Sequence, residues 1–436
     1  MPIPTARFAL VVALSAVVVL AVAGDDWSVL WLVEAVLLVV MLADAFAAVS
    51  PSSIDVARSH PESIVLGETT VVTWTIENRA ERAVHVAVGD ALWPSLNATR
   101  RRVETVLHPL ARHVASARLR PERRGRFPLD EVVVRTRGPL GLAVRHRVQH
   151  APSVLRVMPA FPSRDSIQQR LSRPRVIDVG VRALRVRGSG TEFDQLREMR
   201  LGDDPQRIDW AATAKHQRPI VRQVRAEHDQ SVVILLDNGR VMAGQIDGTP
   251  RVEHAMDAAL GLTAVATHLG DRVGLVSFDR SVVTVVPPSH AKTQPRLVAE
   301  AMYQLEPELS ESAYLSAFSY ATARFRRRSL YVVLTELAEA AVEEAILPAL
   351  PILCRHHLVI VATVQDPLVS EWAAGTGGTA ASGMFRQAAA IAQLQHRRRS
   401  VARLTAAGAI VIDARPGELA TRLVDTYLEL KASSRL

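Results

Sequence analysis

Two apolar runs near the amino terminus constrain the fold of this chain more than any other feature. Phe8 to Ala23 is uninterrupted, and Val29 to Val49 is broken only by Glu34 and Asp44. A helix needs about 20 residues to cross a bilayer. The second run has this length, and the first reaches it with its flanking residues. We therefore predict a transmembrane helical hairpin over residues 1–50.

A secretory signal peptide is the alternative for the first run, with Ala21-Val22-Ala23 as its cleavage site. The second run, which follows closely, favours the hairpin. Arg7 precedes the two runs, the pair Asp25-Asp26 separates them, and Arg58 follows them. By the positive-inside rule, both ends of the hairpin and everything after residue 50 are cytoplasmic. The expected location is the inner (plasma) membrane, as a multi-pass protein with cytoplasmic soluble domains.

The two acidic residues of the second run need a partner or water. Carboxylates inside a span often mark a functional site. Because Glu34 and Asp44 lie near opposite ends of the run, we expect them to reach the interfaces or to pair with a neighbour.

Residues 54–158 carry a pattern of period two. In "VVTWTIEN", Val72, Trp74 and Ile76 point to one face, while Thr73 and Thr75 point to the other. Short runs of this kind, separated by turn residues, predict a small β-sandwich domain.

The positive charge of the chain is concentrated in this domain. The net charge is +8, and Arg100 to Arg147 contains thirteen arginines against four acidic residues. The aromatic residues there are few, so stacking platforms for single-stranded nucleic acid are lacking. Nucleic acid is therefore an unlikely partner. The arginines indicate either contact with anionic lipid of the adjacent membrane or an ordinary solvated face.

Residues 159–230 form a connector and motif region. Pro159 to Gly190 is rich in Arg, Pro and Ser, and the stretch after it predicts a mixed helix–loop–helix. Within it, "GDDPQRIDW" is either a polar docking loop or a helix-capping turn. Its candidate partner-binding residues are Asp203, Asp204, Arg207, Asp209 and Trp210.

Residues 231–436 alternate between buried strands and amphipathic helices, beginning with "SVVILLD". This alternation predicts an α/β doubly wound parallel sheet. The predicted helices are 251–268, 294–304, 313–326, 337–349, 384–405 and 417–431.

Four of these strands end on acids, at Asp237, Asp279, Glu336 and Asp366. Ligands of open parallel sheets bind beyond the carboxyl ends of the strands, where the winding reverses. Acids at these positions also cap the following helix. We favour capping for Asp279 and Asp366, and we keep Asp237 and Glu336 as candidates for one shared site.

Other possible catalytic groups are weak. Cys354 is the only cysteine, which excludes an intrachain disulfide framework or a multi-cysteine metal cluster. It has no convincing base, because the neighbouring histidines point to opposite faces and no third group is evident. We interpret the "HRRRS" run at 396–400 as one solvated helix face.

Several stretches of the chain resemble the domain-of-unknown-function 58 family. They are "GSGTEFDQLREMRLGDDPQRIDWAATAK", "VVILLDNGRVMAG", "GDRVGLVSFD", "SLYVVLTEL" and "LELKASSRL", with "PERRGRFPL" and "RTRGPLGLAVR" upstream. The resemblance implies a von Willebrand factor A-like fold, a six-stranded sheet with one antiparallel edge strand. Such proteins are typically bacterial, often membrane-anchored, and commonly encoded beside MoxR-type AAA+ ATPases. They have no established enzymatic activity.

The resemblance also raises the question of a metal site. A full site in this fold uses an aspartate and two serines, a threonine and a second aspartate. Asp237 matches, Gly239 and Val241 replace the serines, Ser312 falls near the threonine, and Glu336 stands for the last aspartate. Mg²⁺ prefers about six oxygen ligands in octahedral geometry. The degenerate set implies weak Mg²⁺ binding at most.

Two neighbours of this set bear on its use. Ala313 stands where related sequences tend to carry an aspartate, which makes a metal site poorer. Arg240 offers a different role, because it could pair with Asp237 or accept an acidic residue of a partner.

We therefore expect a non-enzymatic, membrane-anchored protein-interaction module without a cofactor, apart from possible weak Mg²⁺. Its expected partner is a MoxR-type AAA+ ATPase, in the assembly or maturation of other proteins, and its two amino-terminal helices contact lipid. The alternatives are a divalent-metal-dependent hydrolase and a nucleic-acid-binding protein. The residues expected to bind the partner are Asp237, Gly239 and Arg240, with the five residues of "GDDPQRIDW" named above.

Overall fold

The computed structural model describes residues 2–23, 27–172, 192–199, 208–225, 230–375, 381–433 and 436. The chain divides into two compact units, Met1–Met158 and Pro159–Leu436.

The first unit begins with a short strand and two apolar helices: β1 (Pro2–Pro4), α1 (Ala6–Ala23) and α2 (Trp27–Ala47). Within the described residues, one helix, Trp27–Ser53, is long and apolar enough to cross a membrane, and Ala6–Val22 is a shorter apolar helix. A membrane anchor and a signal sequence both have these properties. The predicted apolar helices are therefore present.

The remainder of the first unit consists of β-strands in two sheets. The strands are β2 (Ile54–Ser59), β3 (Ser63–Val65), β4 (Thr70–Asn78), β5 (Val84–Asp90), β6 (Arg102–Leu107), β7 (Arg112–Leu119), β8 (Gly125–Arg137) and β9 (Ala143–Met158). One sheet has the order β1-β9-β8-β5-β6, with β3 on β9, and the other has the order β2-β4-β7. All pairs except β3–β9 are antiparallel.

Both sheets contribute to one hydrophobic core. Val72, Trp74 and Ile76 of β4 are at most 1% exposed, as their alternation predicted. They share a cluster with side chains of the other sheet, among them Val86 and Val132.

The acidic residues of α2 both find partners inside the first unit. Glu34 accepts a hydrogen bond from the Ser15 hydroxyl of α1, at 2.9 Å. Asp44 is 2% exposed and accepts three backbone N–H groups of the β8–β9 turn, at 2.7 to 2.9 Å. A Cβ at Gly138 of that turn would lie 2.4 Å from the Asp44 carboxylate, so the turn needs glycine there. Asp44 therefore anchors a turn of the sheet.

Arg58 does not serve as a charge that flanks the membrane, and this part of the topology prediction is wrong. Its side chain is 1% exposed and donates to Asp90 at 2.7 Å. Asp90 also accepts from Trp74 Nε1 at 2.6 Å. A buried guanidinium needs such a carboxylate to offset the loss of water. Arg58 is thus an interior residue of the strand β2.

Among the described residues, the strands and helices of the second unit before Ser329 are α3 (Arg164–Leu171), β10 (Glu192–Glu198), α4 (Trp210–His216), β11 (Ile220–Arg225), β12 (Ser231–Asp237), the short pair β13 (Gln245–Ile246) and β14 (Thr249–Pro250), α5 (Arg251–His268), β15 (Arg272–Phe278), β16 (Val282–Ser289), α6 (Gln294–Met302) and α7 (Tyr314–Arg324). The later elements are β17 (Ser329–Leu334), a helical turn (Glu339–Ala341), a π-helical turn (Val342–Ile346), α8 (Leu347–Cys354), β18 (Leu358–Val364), α9 (Pro367–Ala373), α10 (Ala381–Ala406), β19 (Ile410–Ala414) and α11 (Leu419–Ala432).

A six-stranded mixed sheet organises this unit, in the order β16-β15-β12-β17-β18-β19. Only the edge strand β16 is antiparallel to its neighbour. Alternate residues of β12 face two clusters, one built with α5, α6 and α11 and the other with α7, α8 and α10. The predicted α/β sheet with helices on both faces is therefore present, and β12 lies where the winding reverses.

Two segments differ from the sequence predictions. Glu192–Glu198, expected within a helix–loop–helix, is the strand β10 and pairs with β11, which supplies its ladder of hydrogen bonds. The expected connector contains the helix α3, whose Ile167 is 2% exposed in the core of the second unit. Ser163, just before α3, donates to the buried Asp257 at 2.8 Å, and this contact fixes the start of the helix.

Candidate functional site

The carboxyl end of β12 holds Asp237 in a closed cage of hydrogen bonds. Asp237 is 0% exposed. Its Oδ1 accepts from the Gly239 N–H at 2.9 Å and from the Ser312 hydroxyl at 2.5 Å. Its Oδ2 accepts from the hydroxyls of Tyr314 and Thr335, each at 2.6 Å. All four donors are electrically neutral, and they come from three different parts of the chain.

Tyr314 stays protonated in this cage. Burial raises the pKa of its phenol well above the usual value, and the charge of Asp237 and their hydrogen bond raise it further. The hydroxyl therefore remains a donor to the carboxylate at any physiological pH.

The cage does not fit a divalent cation. A Cβ at Gly239 would lie 2.0 Å from Ser312 Oγ, so the Ser312 hydroxyl fills the space of a side chain at position 239. That hydroxyl donates its proton to Asp237, and both carboxylate oxygens already accept two donors each. Across the described ranges, no group of three or more His, Cys, Asp or Glu residues is arranged to hold a metal ion.

Glu336, the third predicted metal ligand, belongs to a separate ionic group. Its carboxylate accepts from Arg251 at 2.7 Å and from Arg397 at 2.5 Å. The Thr363 hydroxyl also donates to it, at 3.0 Å. Asp237 and Ser312 are thus brought together, whereas Glu336 is bound by two arginines.

Arg397 connects this group to the next strand. Its Nε and Nη2 donate to the two oxygens of Asp413 at 2.9 and 2.8 Å. Burial alone would lower the pKa of Arg397, but the hydrogen bond to Asp413 and the charges of Glu336 and Asp413 raise it above its usual value. We define Arg251, Glu336, Arg397 and Asp413 as the ionic cluster; its two cations balance its two carboxylates.

The interpretation of the "HRRRS" run as a solvated face is wrong for Arg397, whose side chain is 11% exposed. The sequence did contain a signal. Ala390 and Leu404, seven residues before and after Arg397, are buried at 3% and 0% exposure. A seven-residue spacing keeps these positions on one helix face, which marks the side of α10 that packs inward.

The loops around Asp237 carry an exposed surface. Arg240 pairs with Glu311 and its backbone N–H donates to the Ser310 carbonyl at 2.9 Å. Arg280 pairs with Glu308 at 3.2 Å. Leu309 and Leu315 are 81% and 60% exposed. We define the edge surface as Arg240, Arg280, Glu308, Leu309, Glu311 and Leu315.

The predicted docking residues of "GDDPQRIDW" are described only in part. Asp203, Asp204 and Arg207 lie outside the described residues. Asp209 caps the helix α4 by accepting from the Ala212 N–H at 3.0 Å. Trp210, which follows it, is 72% exposed. The capping interpretation therefore holds for Asp209, and a place for this segment beside the edge surface stays a prediction.

The other strand-end acids have structural roles. Asp366 caps α9 by accepting from the Leu368 N–H at 3.0 Å, as predicted. Asp279 accepts from the Ser281 N–H at 3.1 Å. It therefore closes the β15–β16 turn, and the prediction that it caps a helix is wrong because a hairpin follows it.

Comparison with known proteins gives a family match for part of the chain. Residues 195–376 match the family described as "Protein of unknown function DUF58". An uncharacterized protein of Mycobacterium bovis is 32% identical over 120 residues, which cover 26% of this chain and 37% of that protein. An uncharacterized protein of Mycobacterium tuberculosis gives the same values. The chain thus spans about 37% of the length of these curated relatives.

Similar solved structures are more distant. The CARDB domain of a Pyrococcus furiosus protein has 10% identity and a TM-score of 0.17, covering 24% of this chain and 94% of that one. Proximal thread matrix protein 1 from the mussel byssus has 12% identity and a TM-score of 0.29, covering 47% of each chain. TM-scores below 0.5 do not establish a shared overall fold.

Proposed function

Because residues 195–376 carry a DUF58-family domain, we propose that this chain is a non-enzymatic, membrane-anchored protein-interaction module. In this proposal α1 and α2 form a transmembrane hairpin, the strands of the first unit from Ile54 onward form a cytoplasmic β-sandwich, and the second unit is a von Willebrand factor A-like module. The partner docks on the edge surface of that module.

The exposed leucines of the edge surface are the observation that carries the proposal. Single exposed apolar residues are common and need no explanation. Here, however, Leu309 lies between Glu308 and Glu311, which pair with Arg280 and Arg240, and Leu315 is exposed in the first turn of the helix that follows this loop. An apolar centre with a polar rim is the usual composition of a protein interface. The surface also lies at the point where the winding of the sheet reverses, which is where such folds bind ligands.

Asp237 and Gly239, expected to touch the partner, take a different role in this proposal. Both are buried. Asp237 joins the loop after β12 to the loop before α7 through Gly239 and Ser312. It thereby holds the edge surface in one conformation and acts as a positioning residue. Arg240, which is exposed, remains a contact residue.

We propose a MoxR-type AAA+ ATPase as the partner, acting with this chain in the assembly or maturation of other proteins. The support is the association of such ATPases with the family that the chain resembles. An association of this kind does not fix function by itself, so the interaction needs a direct test.

The test is co-purification of the full chain, in detergent, with a MoxR-type AAA+ ATPase of the same organism. We expect retention of the ATPase by the wild type and at least about tenfold weaker binding by Leu309→Asp/Leu315→Asp, because a charge at an interface centre is desolvated without a partner. Leu297→Asp is the matched control. Leu297 is 40% exposed on the same module, one turn from Gln294, which contacts the opposite end of β15. Equal retention by all three proteins would disprove docking at the edge surface.

A further inference from the structure

A groove in the first unit lies directly beside the start of α1. Its volume is about 650 Å³, and β1, the first residue of α1 and the outer face of the six-stranded sheet line it. The lining residues that bear on its chemistry are Ile3, His85, Arg102, Glu104, Arg135 and Arg137.

The strand register brings basic side chains together in this groove. Arg137 of β8 lies opposite His85 of β5 and opposite Val144 of β9, which in turn lies opposite Ile3 of β1. Arg135, two residues before Arg137, projects from the same face of β8 because strand side chains alternate. Directly opposite residues have Cβ atoms about 5 Å apart, so these groups form one continuous surface.

Arg7, in the first turn of α1, does not line the groove but places a third guanidinium next to it, near Arg137. A Cβ placed on Gly141 would lie 3.3 Å from Arg7 Nη1 and 3.5 Å from Arg137 Cδ, so the two arginine side chains converge on that turn. Arg102 at the far side of the groove is already paired with Glu104, at 2.6 Å.

The three other arginines are not neutralised within the part of the chain that the structure describes. Arg7, Arg135 and Arg137 form no ion pair with any described residue. Cations that converge without a carboxylate between them create a local positive potential that attracts an anion.

The apolar side chains beside the groove indicate which class of anion it would bind. Ile3 is 42% exposed at its rim, and Leu10 and Leu14 of the adjoining helix α1 are 67% and 60% exposed. A free inorganic anion would make no use of these side chains, whereas a lipid has a phosphate to place on the arginines and acyl chains to place along α1.

We propose that this groove binds the headgroup of an acidic phospholipid. The phosphate lies among Arg7, Arg135 and Arg137, and the acyl chains run along Ile3 and α1. The site uses the membrane anchoring proposed above, but it is separate from the edge surface and needs no protein partner.

The test uses the full chain purified in detergent and titrated with short-chain phosphatidylglycerol, short-chain phosphatidylcholine or glycerol 3-phosphate. Binding is followed by the increase in thermal unfolding temperature. We expect a saturable shift with phosphatidylglycerol alone. An arginine near an anionic lipid surface contributes about 1 kcal/mol, or roughly a fivefold change in affinity. Arg135→Gln/Arg137→Gln should therefore bind about 25-fold more weakly, and Arg7→Gln about fivefold more weakly.

The matched control is Arg112→Gln/Arg118→Gln, which removes two exposed arginines from β7 of the other sheet. It should bind phosphatidylglycerol like the wild type, and Arg135→Lys/Arg137→Lys should retain most of the affinity. Equal shifts with phosphatidylcholine would overturn the proposal, and so would an equal effect of the control pair. Equal binding of glycerol 3-phosphate would replace it with a free-phosphate site. The lipid titrations do not involve the ATPase. The proposal for the groove can therefore be disproved without affecting the proposal for the edge surface, and the reverse also holds.

Discussion

Asp237 is the last residue of β12 and Glu336 lies two residues after the neighbouring parallel strand β17, yet the protein stabilises their carboxylates by different chemistry. Asp237 is fully buried and accepts hydrogen bonds from one backbone N–H and three hydroxyls. Glu336 is 12% exposed and is bound by two arginines. The carboxylate of Asp237 has only neutral partners, whereas the ionic cluster of Arg251, Glu336, Arg397 and Asp413 has two cations for its two carboxylates.

The difference shows that the position of an acid at a strand end does not determine its role. The elements that pack around the strand decide it, because they supply either neutral donors or cations. Neutral donors with fixed directions hold loops in place, as Asp237 does for the edge surface. Paired charges in a half-buried setting join β17, β18 and β19 to α5 and α10.

The largest loss of stability should come from disrupting the ionic cluster. Arg397→Met would leave Asp413 without its cation and Glu336 with only Arg251. Breaking a buried pair by removing one partner costs roughly 3–5 kcal/mol. Urea-induced unfolding of the full chain in detergent measures this loss. The control is Arg399→Met on the exposed face of the same helix, expected within about 0.5 kcal/mol of the wild type. Similar unfolding of both variants would show that the cluster does not stabilise the fold.

Removing the carboxylate of Asp237 should destabilise the protein somewhat less than removing the guanidinium of Arg397. Asp237→Ala leaves the Gly239 N–H and several hydroxyls without an acceptor, at about 1–3 kcal/mol for each group that stays unsatisfied. Tyr314 and Thr335 are 2.8 Å apart and can bond each other, so we expect a total loss of about 3 kcal/mol. Asp366→Ala, which removes a helix cap, should cost about 1 kcal/mol. If Asp237→Ala and Asp366→Ala lowered the free energy of unfolding equally, Asp237 would contribute no more to stability than a single helix cap.

A double-mutant cycle measures the energy of the contact between Gly239 and Ser312 apart from their other interactions. Gly239→Ser places a side chain on the Ser312 hydroxyl, and overpacking of this kind costs roughly 2 kcal/mol. Adding Ser312→Ala removes the hydroxyl and should recover much of the loss, giving a favourable coupling energy. Additive losses in unfolding experiments would show that Ser312 Oγ does not occupy the space at position 239.

The sequence predicted most of the fold of the second unit because its central strands are buried along their whole length. All seven residues of Ser231–Asp237 are buried, and such a run between amphipathic helices is typical of a parallel sheet. The strand Glu192–Glu198 was missed because its pairing partner, Ile220–Arg225, lies further along the chain, after the helix α4.

The position of the candidate site was predictable, but its chemistry was not. The strand-end rule located Asp237 correctly. Its donors Tyr314 and Thr335 are 77 and 98 residues away along the chain. Arg58 and Arg397 were expected in solvent, since their carboxylate partners are 32 and 16 residues away. A sequence pattern over a few residues does not show which distant residues will pair. These pairs form only when the helices and strands pack together.

The smallest effect is expected from divalent cations. Their addition distinguishes a carboxylate held by hydrogen bonds, as proposed for Asp237, from one that binds a metal. Calorimetric titration of the full chain with Mg²⁺, Mn²⁺ or Ca²⁺ should give no binding heat for the wild type or for Asp237→Ala. The reason is that both oxygens of Asp237 accept two donors, whereas Mg²⁺ needs about six free oxygen ligands. Heat in the wild type that disappears in the variant would mean that Ser312 and Tyr314 release Asp237 to a cation. The metal-dependent hydrolase would then become the better hypothesis, and the neutral cage would be only the metal-free state of a metal site.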